Sequence, residues 1–526
     1  MPGNPAQTVT SIGNTAVNSF GGWAVGASVN DPLGTLSLIY GASFGAPAST
    51  LITEGTYGSL EQTSFESFFG VSNAMVPVYS PSSNDLIGGT TGLDGCWAGT
   101  TVIANEDDPI LSMPGKVFRF NSRPNVIANG DAVWIGGVND VSGTTEGNAV
   151  FRGAGHTRVV GENDVLPGMP FAVGTGSAVD FDFRFSPDGN HHILTVNLAS
   201  GSSLNDTYVD FDGGPLFIGG SIVGEDELLP TALQVAPDED WDNFDFFGVM
   251  DDGTYFFTGD TNGPTTTDEF IVLDGEMILR EGDTVGGLVL SGSMEGGYLS
   301  ARGDWGVIWD VDDPIDGNVE ALLFNGRLIM KENDTIVTDL DGDGIPETGI
   351  ISSFTGLSSM TVGIDRACYF TCDLDYLGTS STSDDVEVAV RMPIPDLMAD
   401  ADSLSVATGG TVNFTLFNPP EADADIYLLL GSTSGDAPGF VVDGLTLPLN
   451  VDSYTLYLLQ HPNQMPLAGS LGSFDGNGTA SASFTLPPAF DPALAGLTVH
   501  HAFASFSFLT GKVTHTSNAV PISFLP

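Results

Sequence analysis

The sequence predicts an all-β chain, a seven-bladed β-propeller followed by a C-terminal antiparallel β-sandwich, on three observations. Short apolar runs of strand length alternate with turns along all 526 residues, which include 68 glycines and 31 prolines, and no helical period of 3.6 emerges. An acidic turn after an apolar strand recurs six times, with glutamates at Glu54, Glu106, Glu162, Glu225, Glu281 and Glu332, spaced 52, 56, 63, 56 and 51 residues apart. Repeats on that scale are the mark of propellers and arrays. From about Pro395 onward the acidic turn stops and the composition changes.

Within a repeat, two apolar runs flank Asp274-Gly275 or Asn325-Gly326. Such pairs are hairpin signals because a type I′ turn needs positive φ at both central residues. Upstream of each hairpin lies another strand pair around a turn. These are Gly22-Trp23, Asn129-Gly130-Asp131, Asp188-Gly189-Asn190, Asp252-Gly253-Thr254, Gly303-Asp304-Trp305 and Asp365-Arg366-Ala367, with a weaker copy at Asn73-Ala74-Met75. Seven units of four short strands fit a propeller; a linear solenoid has shorter coils. The last unit reaches Val386–Val390 and stops before an acidic turn, so it is expected to lack a strand. The segment Gln7–Ile12 is expected either to supply that strand and close the ring or to pair with a neighbouring molecule's edge. The expected organisation is an N-terminal strand or extension at 1–18, propeller repeats at 19–392, a stiff linker at 393–396 and the sandwich at 397–526.

The C-terminal region carries 11 acids and one base, Lys512. Alternating runs at Thr411–Leu416, Ser481–Leu486 and Ala504–Phe508 read as half-buried strands. The closing run Val520–Phe524 contains Pro521, which favours a sheet edge.

Charge narrows the function. A net charge of −54, from 67 acids against 13 bases, opposes binding to nucleic-acid phosphates and anionic lipid. No apolar run approaches the roughly 18–20 residues of a membrane helix, so no membrane insertion is expected. The segment Met1–Pro5 has no basic or apolar leader character. Acidic, lysine-poor composition instead suggests an extracellular or cell-surface protein whose signal peptide has been removed. The three cysteines, Cys96, Cys368 and Cys372, are too few for a disulfide scaffold. Residues four apart on a strand stand about 13 Å from each other, so Cys368 and Cys372 cannot bridge; pairing of either with Cys96 stays open, and buried thiols are the favoured reading.

The carriers Asn129-Gly130-Asp131-Ala132-Val133-Trp134 with Glu162-Asn163-Asp164, and Gly253-Thr254-Tyr255-Phe256 with Glu281-Gly282-Asp283, resemble bacterial tandem-repeat proteins named after an Asn-x-x-Gly-x-x-Ala-Phe signature. The resemblance spans roughly residues 10–392, with no copy matching the signature in full. It implies an exported surface protein with an interchangeable C-terminal module. The C-terminal part, ending Thr516-Ser517-Asn518-Ala519-Val520, is similar to sandwich modules at the ends of planctomycete-type secreted proteins. Neither resemblance implies an enzyme activity.

The best ligand motif is Asp339-Leu340-Asp341-Gly342-Asp343-Gly344-Ile345-Pro346-Glu347. Oxygens at positions 1, 3 and 5 with Gly at 6 match half of a calcium loop. Position 12 is Ile350, so Glu347 would stand in for the missing bidentate glutamate and Ile345 would contribute its carbonyl; the expected cofactor is a structural Ca²⁺. Asn205, Asn333, Asn413 and Asn477 begin Asn-x-Ser/Thr sequons and are candidate glycosylation sites. The recurrent acidic turns read as hairpin exits whose carboxylates cap backbone amides, with a cation- or carbohydrate-binding rim as the competing use. Asp238–Asp242 and Asp310–Asp313 read as solvated loops. Trp23, Trp97, Trp134, Trp241, Trp305 and Trp309 are candidates for sugar stacking, or else core. The seven histidines form no ligand or nucleophile signature, and catalytic residues are not expected.

The function expected from sequence is therefore a non-enzymatic extracellular or cell-surface structural protein whose copies self-associate into a filament or surface layer. A glycan- or protein-binding propeller is the alternative, and a polysaccharide hydrolase or lyase the second alternative.

Overall fold

The computed structural model describes residues 8–31, 34–43, 46–174, 182–199, 207–338, 346–355, 360–364, 366–375, 385–418, 426–475, 478–489 and 491–526. The chain is nearly all β and divides into two compact units, Met1–Pro393 and Ile394–Pro526.

In the first unit, seven antiparallel sheets of four or five strands follow one another along the chain. They begin at Thr8–Val17, Thr56–Tyr57, Lys116–Val126, Phe183–Phe185, Trp241–Val249, Thr284–Val285 and Thr335–Thr338. A small two-stranded sheet, Phe217–Ile218 with Ser221–Ile222, accompanies the fourth. In each sheet the strand that precedes the central hairpin partner runs into the same turn. Its first residue donates its N–H to a carbonyl four residues on: Asn18 to Gly22, Ser72 to Val76, Ile127 to Asp131, Met250 to Thr254, Ser300 to Asp304 and Gly363 to Ala367, all at 2.8–3.1 Å. In the fourth sheet, Ser186 reaches one residue further, to His191. The fourth residue of every copy has positive φ, at Gly21, Met75, Gly130, Gly189, Gly253, Gly303 and Arg366. That requirement explains the recurring glycine, which adopts left-handed backbone without a steric penalty.

The acidic turn is the joint between sheets. In five copies its third residue has positive φ, at Asp107, Asn163, Asp226, Gly282 and Asn333, as a type II turn demands. The N–H of that residue donates to a carbonyl in the next sheet's territory: Phe118, Val173, Trp241, Leu290 and Ile351, at 2.8–3.0 Å. Each accepting residue is a buried apolar one. All five return the bond: Phe118, Val173, Leu290 and Ile351 to the carbonyls of Asp108, Asp164, Asp283 and Asp334, and Trp241 to that of Glu227. Those same aspartates accept, through Oδ2, the N–H of the residue that opens the turn: Asn105, Gly161, Arg280 and Lys331, at 2.8–2.9 Å. The glutamate braces the other side. Carboxylates of Glu54, Glu162, Glu225 and Glu332 accept the N–H of Ser37, Asn148, Thr207 and Glu320. Backbone capping is thus the work these acids do.

Between adjacent sheets lie apolar layers. Val78, Cys96, Phe118, Trp134 and Phe151 fill one, and Phe256, Trp305, Trp309 and Leu323 another. Trp97, Trp134, Trp241 and Trp309 are fully buried, so these tryptophans are core rather than sugar platforms. Cys96, Cys368 and Cys372 are buried and form no disulfide.

Three expectations are corrected. The N-terminal strand Thr8–Val17 is not the missing strand of the last sheet: it pairs with Trp23–Asp31 as the first strand of the first sheet. A short hairpin costs far less loop-closure entropy than a partner more than 350 residues away. The last sheet completes itself with Val386–Pro393 on Ala367–Asp375, and the two end sheets abut side by side. Thr15 Oγ1 lies 3.2 Å from Thr361 Oγ1, and Ile12 N–H donates to Glu387 at 2.9 Å. The ring this closes is a β-propeller arrangement.

The stretch Asp238–Asp242 is not a solvated loop either. Glu239 is 1% exposed, takes Val235 N–H and the Thr261 hydroxyl, and pairs with Arg280. Burial pushes its pKa up, but these donors outweigh burial and the net shift is downward. Asp310–Asp313 likewise lies within the strand Trp305–Asp313.

The second unit pairs a four-stranded sheet (Leu397–Ala399, Gly410–Phe417, Thr479–Leu486, Leu467–Ala468) with a six-stranded one. Val412, Phe414 and Phe484 of the first meet Leu429, Phe503 and Ile522 of the second in one core. The closing strand Val520–Leu525 lies inside its sheet, between Thr498–Ser507 and Ser403–Ser405. Pro521 is tolerated there because the pairing of Ser403–Ser405 begins only at Ser523. One helix, Ser453–Gln460, was not anticipated from the sequence. Asp452 caps it, accepting from Tyr454 and Thr455 N–H.

Removing a brace should be measurable. Glu162→Ala leaves the Asn148 N–H buried without its carboxylate and is expected to cost about 1–3 kcal/mol, read as a lower midpoint in urea denaturation; an unchanged midpoint contradicts the bracing role.

Candidate functional site

One strand or strand edge from each of the seven sheets lines a single cavity of about 250 Å³. Its wall takes residues from every sheet, among them Asn14, Phe68, Arg123, Asp182, Asp245, Tyr298 and Thr361. The side chains reach it because the inner strands are irregular. Register breaks fall between Ile12 and Thr15, Phe65 and Phe69, Ser122 and Asn125, and Phe244 and Phe247. The extra residues include Asn14, Phe68, Arg123, Asp245 and Phe246, all of which line the cavity. Bulges of this kind re-aim side chains that a regular strand would direct elsewhere. Neighbouring inner strands pack closely: a Cβ on Gly248 would stand 2.4 Å from Leu299 Cβ.

The wall is charged. Arg123 Nη1 pairs with Asp182 Oδ1 at 2.8 Å, and its guanidinium lies over the Phe68 ring at 5.6 Å. Its backbone N–H donates to Glu66 at 3.3 Å. Asp245 accepts from Asn243 Nδ2 at 2.9 Å. Burial pushes its pKa up to about 6; Asn243 opposes the shift, and Asp182 and Glu295 add to it. Burial also raises the Tyr298 phenol, against the pull of the Arg184 guanidinium. Arg184 Nη1 donates to its neighbour's carbonyl, Phe183 O, at 2.9 Å.

Behind Asp245, acids collect in the fifth and sixth sheets. Asp310 lies opposite Glu320 in the ladder, and Asp260, Glu269 and Glu281 occupy the corresponding region of the fifth sheet. Burial, reinforced by neighbouring carboxylates, pushes Asp260 up to about 7, Glu269 to about 8, and Glu281 and Glu320 to about 7. Asp260 Oδ1 and Glu269 Oε2 are buried without a hydrogen-bond partner. Among the described residues no group of three His, Cys, Asp or Glu side chains could hold a metal ion. The row is suited to holding protons.

Of the calcium motif, Asp339, Asp341, Asp343 and Ile345 lie outside the described residues, while Glu347 opens the strand Glu347–Thr355. Of the sequons, Asn205 and Asn477 also lie outside them. Asn333 is the left-handed residue of an acidic turn, and the Asn413 amide donates to Asp400 at 2.7 Å. The adjacent histidines His191 and His192 contact Asp212 and Asp210, at 2.7 and 3.1 Å. The axial residues escaped the sequence reading because bulges break the alternation by which strand faces are assigned. Unusually long inner strands, such as the 12 residues of Leu60–Val71 and of Leu288–Leu299, were the available signal.

No family model matches the chain, and no curated protein matches it. Among solved structures the chain is similar to one titled "Structure of Dos1 propeller", at 10% identity and a TM-score of 0.31, over 73% of this chain and 94% of that one. It is also similar to an acylaminoacyl peptidase of Pyrococcus horikoshii, at 10% identity and a TM-score of 0.33, over 79% of this chain and 58% of that one. Neither likeness bears on what this chain does. No helix among the described residues is long and apolar enough to cross a membrane.

The acid row sets a pH dependence. A carboxyl whose folded pKa exceeds its unfolded one contributes stability that is fully present below the unfolded value and is lost as pH rises through the folded value. The unfolded values are 3.8 for Asp and 4.5 for Glu, and the folded ones about 7–8. The melting temperature of the first unit is therefore expected to fall between pH 5 and pH 8. Glu269→Gln should raise it at pH 8 and leave it nearly unchanged at pH 5; a pH-independent melting curve contradicts the burial of these carboxyls. His501 of the second unit works in the opposite sense. Burial, with His500 adding, pushes it down to about 3, so its contribution is lost as pH falls below about 6.5.

Proposed function

We propose that residues 8–393 form a seven-bladed β-propeller, that residues 394–526 form a β-sandwich, and that the chain is a non-enzymatic binding protein of the cell exterior whose axial cavity takes a small polar ligand or the end of a glycan. The carrying observation is the cavity itself: all seven inner strands contribute to it, and bulges turn charged and aromatic side chains into it. Its size, about 250 Å³, is below the roughly 300–1,000 Å³ of pockets for drug-sized molecules, which suits one or two sugar residues. The acidic, lysine-poor composition supports the exterior location. The test is a panel of oligosaccharides screened by calorimetry, with reducing ends assayed in parallel. Binding without product release is expected, and Ala301→Trp, at the cavity wall, should abolish it. Binding that survives the plug sinks the axial site, and released product sinks the non-enzymatic reading.

A second reading, self-association, draws on the second unit. Leu456, Tyr457 and Leu459 of the helix and the nearby Met465 stand exposed, in a region with one base and 11 acids. A contact between copies of this chain would cover that face. Light scattering at micromolar concentration is expected to show an oligomer that Leu459→Glu dissociates; a monomer throughout removes this reading.

A further inference from the structure

Resting on the cavity reading above, we infer that the axial ligand carries a carboxylate, as a uronic-acid sugar does, and that Arg184 holds it with Tyr298 alongside. The chain has 67 acids and 13 bases, so a guanidinium left without a carboxylate is conspicuous. Lys116, Arg123, Arg152, Arg158, Arg280 and Lys331 are each in ion pairs. Arg184, half-buried in the cavity wall, has no carboxylate partner among the described residues and donates only to Phe183 O. Asp182 is engaged by Arg123 and Asp245 accepts from the Asn243 amide, which leaves Arg184 as the guanidinium of the cavity wall that no carboxylate among the described residues holds.

The guanidinium presents a planar fork of donors that matches a carboxylate bidentately, a geometry no ammonium offers. Tyr298 lines the same cavity and lies close enough to feel the charge of Arg184. Asn14 and Asp245, elsewhere on the wall, offer acceptors for sugar hydroxyls. Phe68, 39% exposed at the wall, offers an apolar surface for a pyranose ring. A ligand with one carboxylate, several hydroxyls and an apolar ring face uses all of these groups.

The probe pair is trigalacturonate and its fully methyl-esterified form, which differ in charge but hardly in shape, titrated by calorimetry into the full chain, Arg184→Gln and the control Arg152→Gln. The acid is expected to bind at least about tenfold more tightly than the ester. Arg184→Gln should erase that preference, and Arg152→Gln should keep it. Equal affinity for the two probes, or a preference that survives Arg184→Gln, overturns the inference while leaving the cavity a binding site. Heat from neither probe also overturns it, and the plug-sensitive panel then decides the cavity reading separately. Should Arg184→Gln fail to fold by circular dichroism, the acid-to-ester ratio on the native chain decides.

Discussion

One joint holds the first unit together: the turn in which a left-handed residue gives its amide to the next sheet while the aspartate after it, in four of the five copies, takes an amide back. At each boundary the chain must leave one sheet and enter the next through a buried region, where an unpaired amide or carbonyl costs free energy. The turn satisfies those groups locally. Its Oδ2 bond from Asp108, Asp164, Asp283 or Asp334 fixes the turn. Its outward bond seats a large apolar residue, Phe118 or Trp241 for example, in the layer between sheets. Polar closure and apolar packing are therefore set by the same four residues, which is why the motif recurs while the sequence around it drifts.

The cavity follows from the ring. Seven inner strands converge on an axis, and the space left there depends on how closely they approach; glycines such as Gly248 set that approach. The bulges then determine what the space contains. In a chain of net charge −54, basic side chains at the axis stand out; one of them holds Asp182, while burial pushes the carboxyls behind Asp245 up to about 7–8. The molecule thus separates its charges: solvated carboxylates outside, bracing carboxylates at the joints, proton-holding carboxyls in the fifth and sixth sheets, and guanidinium groups at the centre.

Much of this was legible in the residues. The six glutamates and the seven recurrent turns, five of them with glycine at the left-handed position, mark real joints, because both depend on short local geometry that a few residue types can satisfy. The division near residue 393 followed from the loss of the motif. What was not legible depended on distance. Thr8–Val17 looked like a spare strand because the last unit read as one strand short, although the Gly21-Gly22 turn joins it to its hairpin partner. Glu239 looked solvated because Arg280, its partner, is 41 positions away. The axial residues were hidden because a bulge shifts the period of two by one residue, so that Arg123 and Asp245 fall out of any face assignment. The helix Ser453–Gln460, at eight residues, is too short to show a period.

The placement of Thr8–Val17 also bears on how the molecule is assembled. Every sheet of the first unit is built from strands consecutive in the chain, so each needs only residues already synthesised, and its pairings join strands that lie near each other in sequence. Topologies dominated by such contacts fold faster than those awaiting distant partners. A ribosome could release this ring one sheet at a time. The seam where Thr15 meets Thr361 and Ile12 meets Glu387 joins residues some 350 apart, and it is left to the end, a docking of two finished surfaces rather than the threading of a strand.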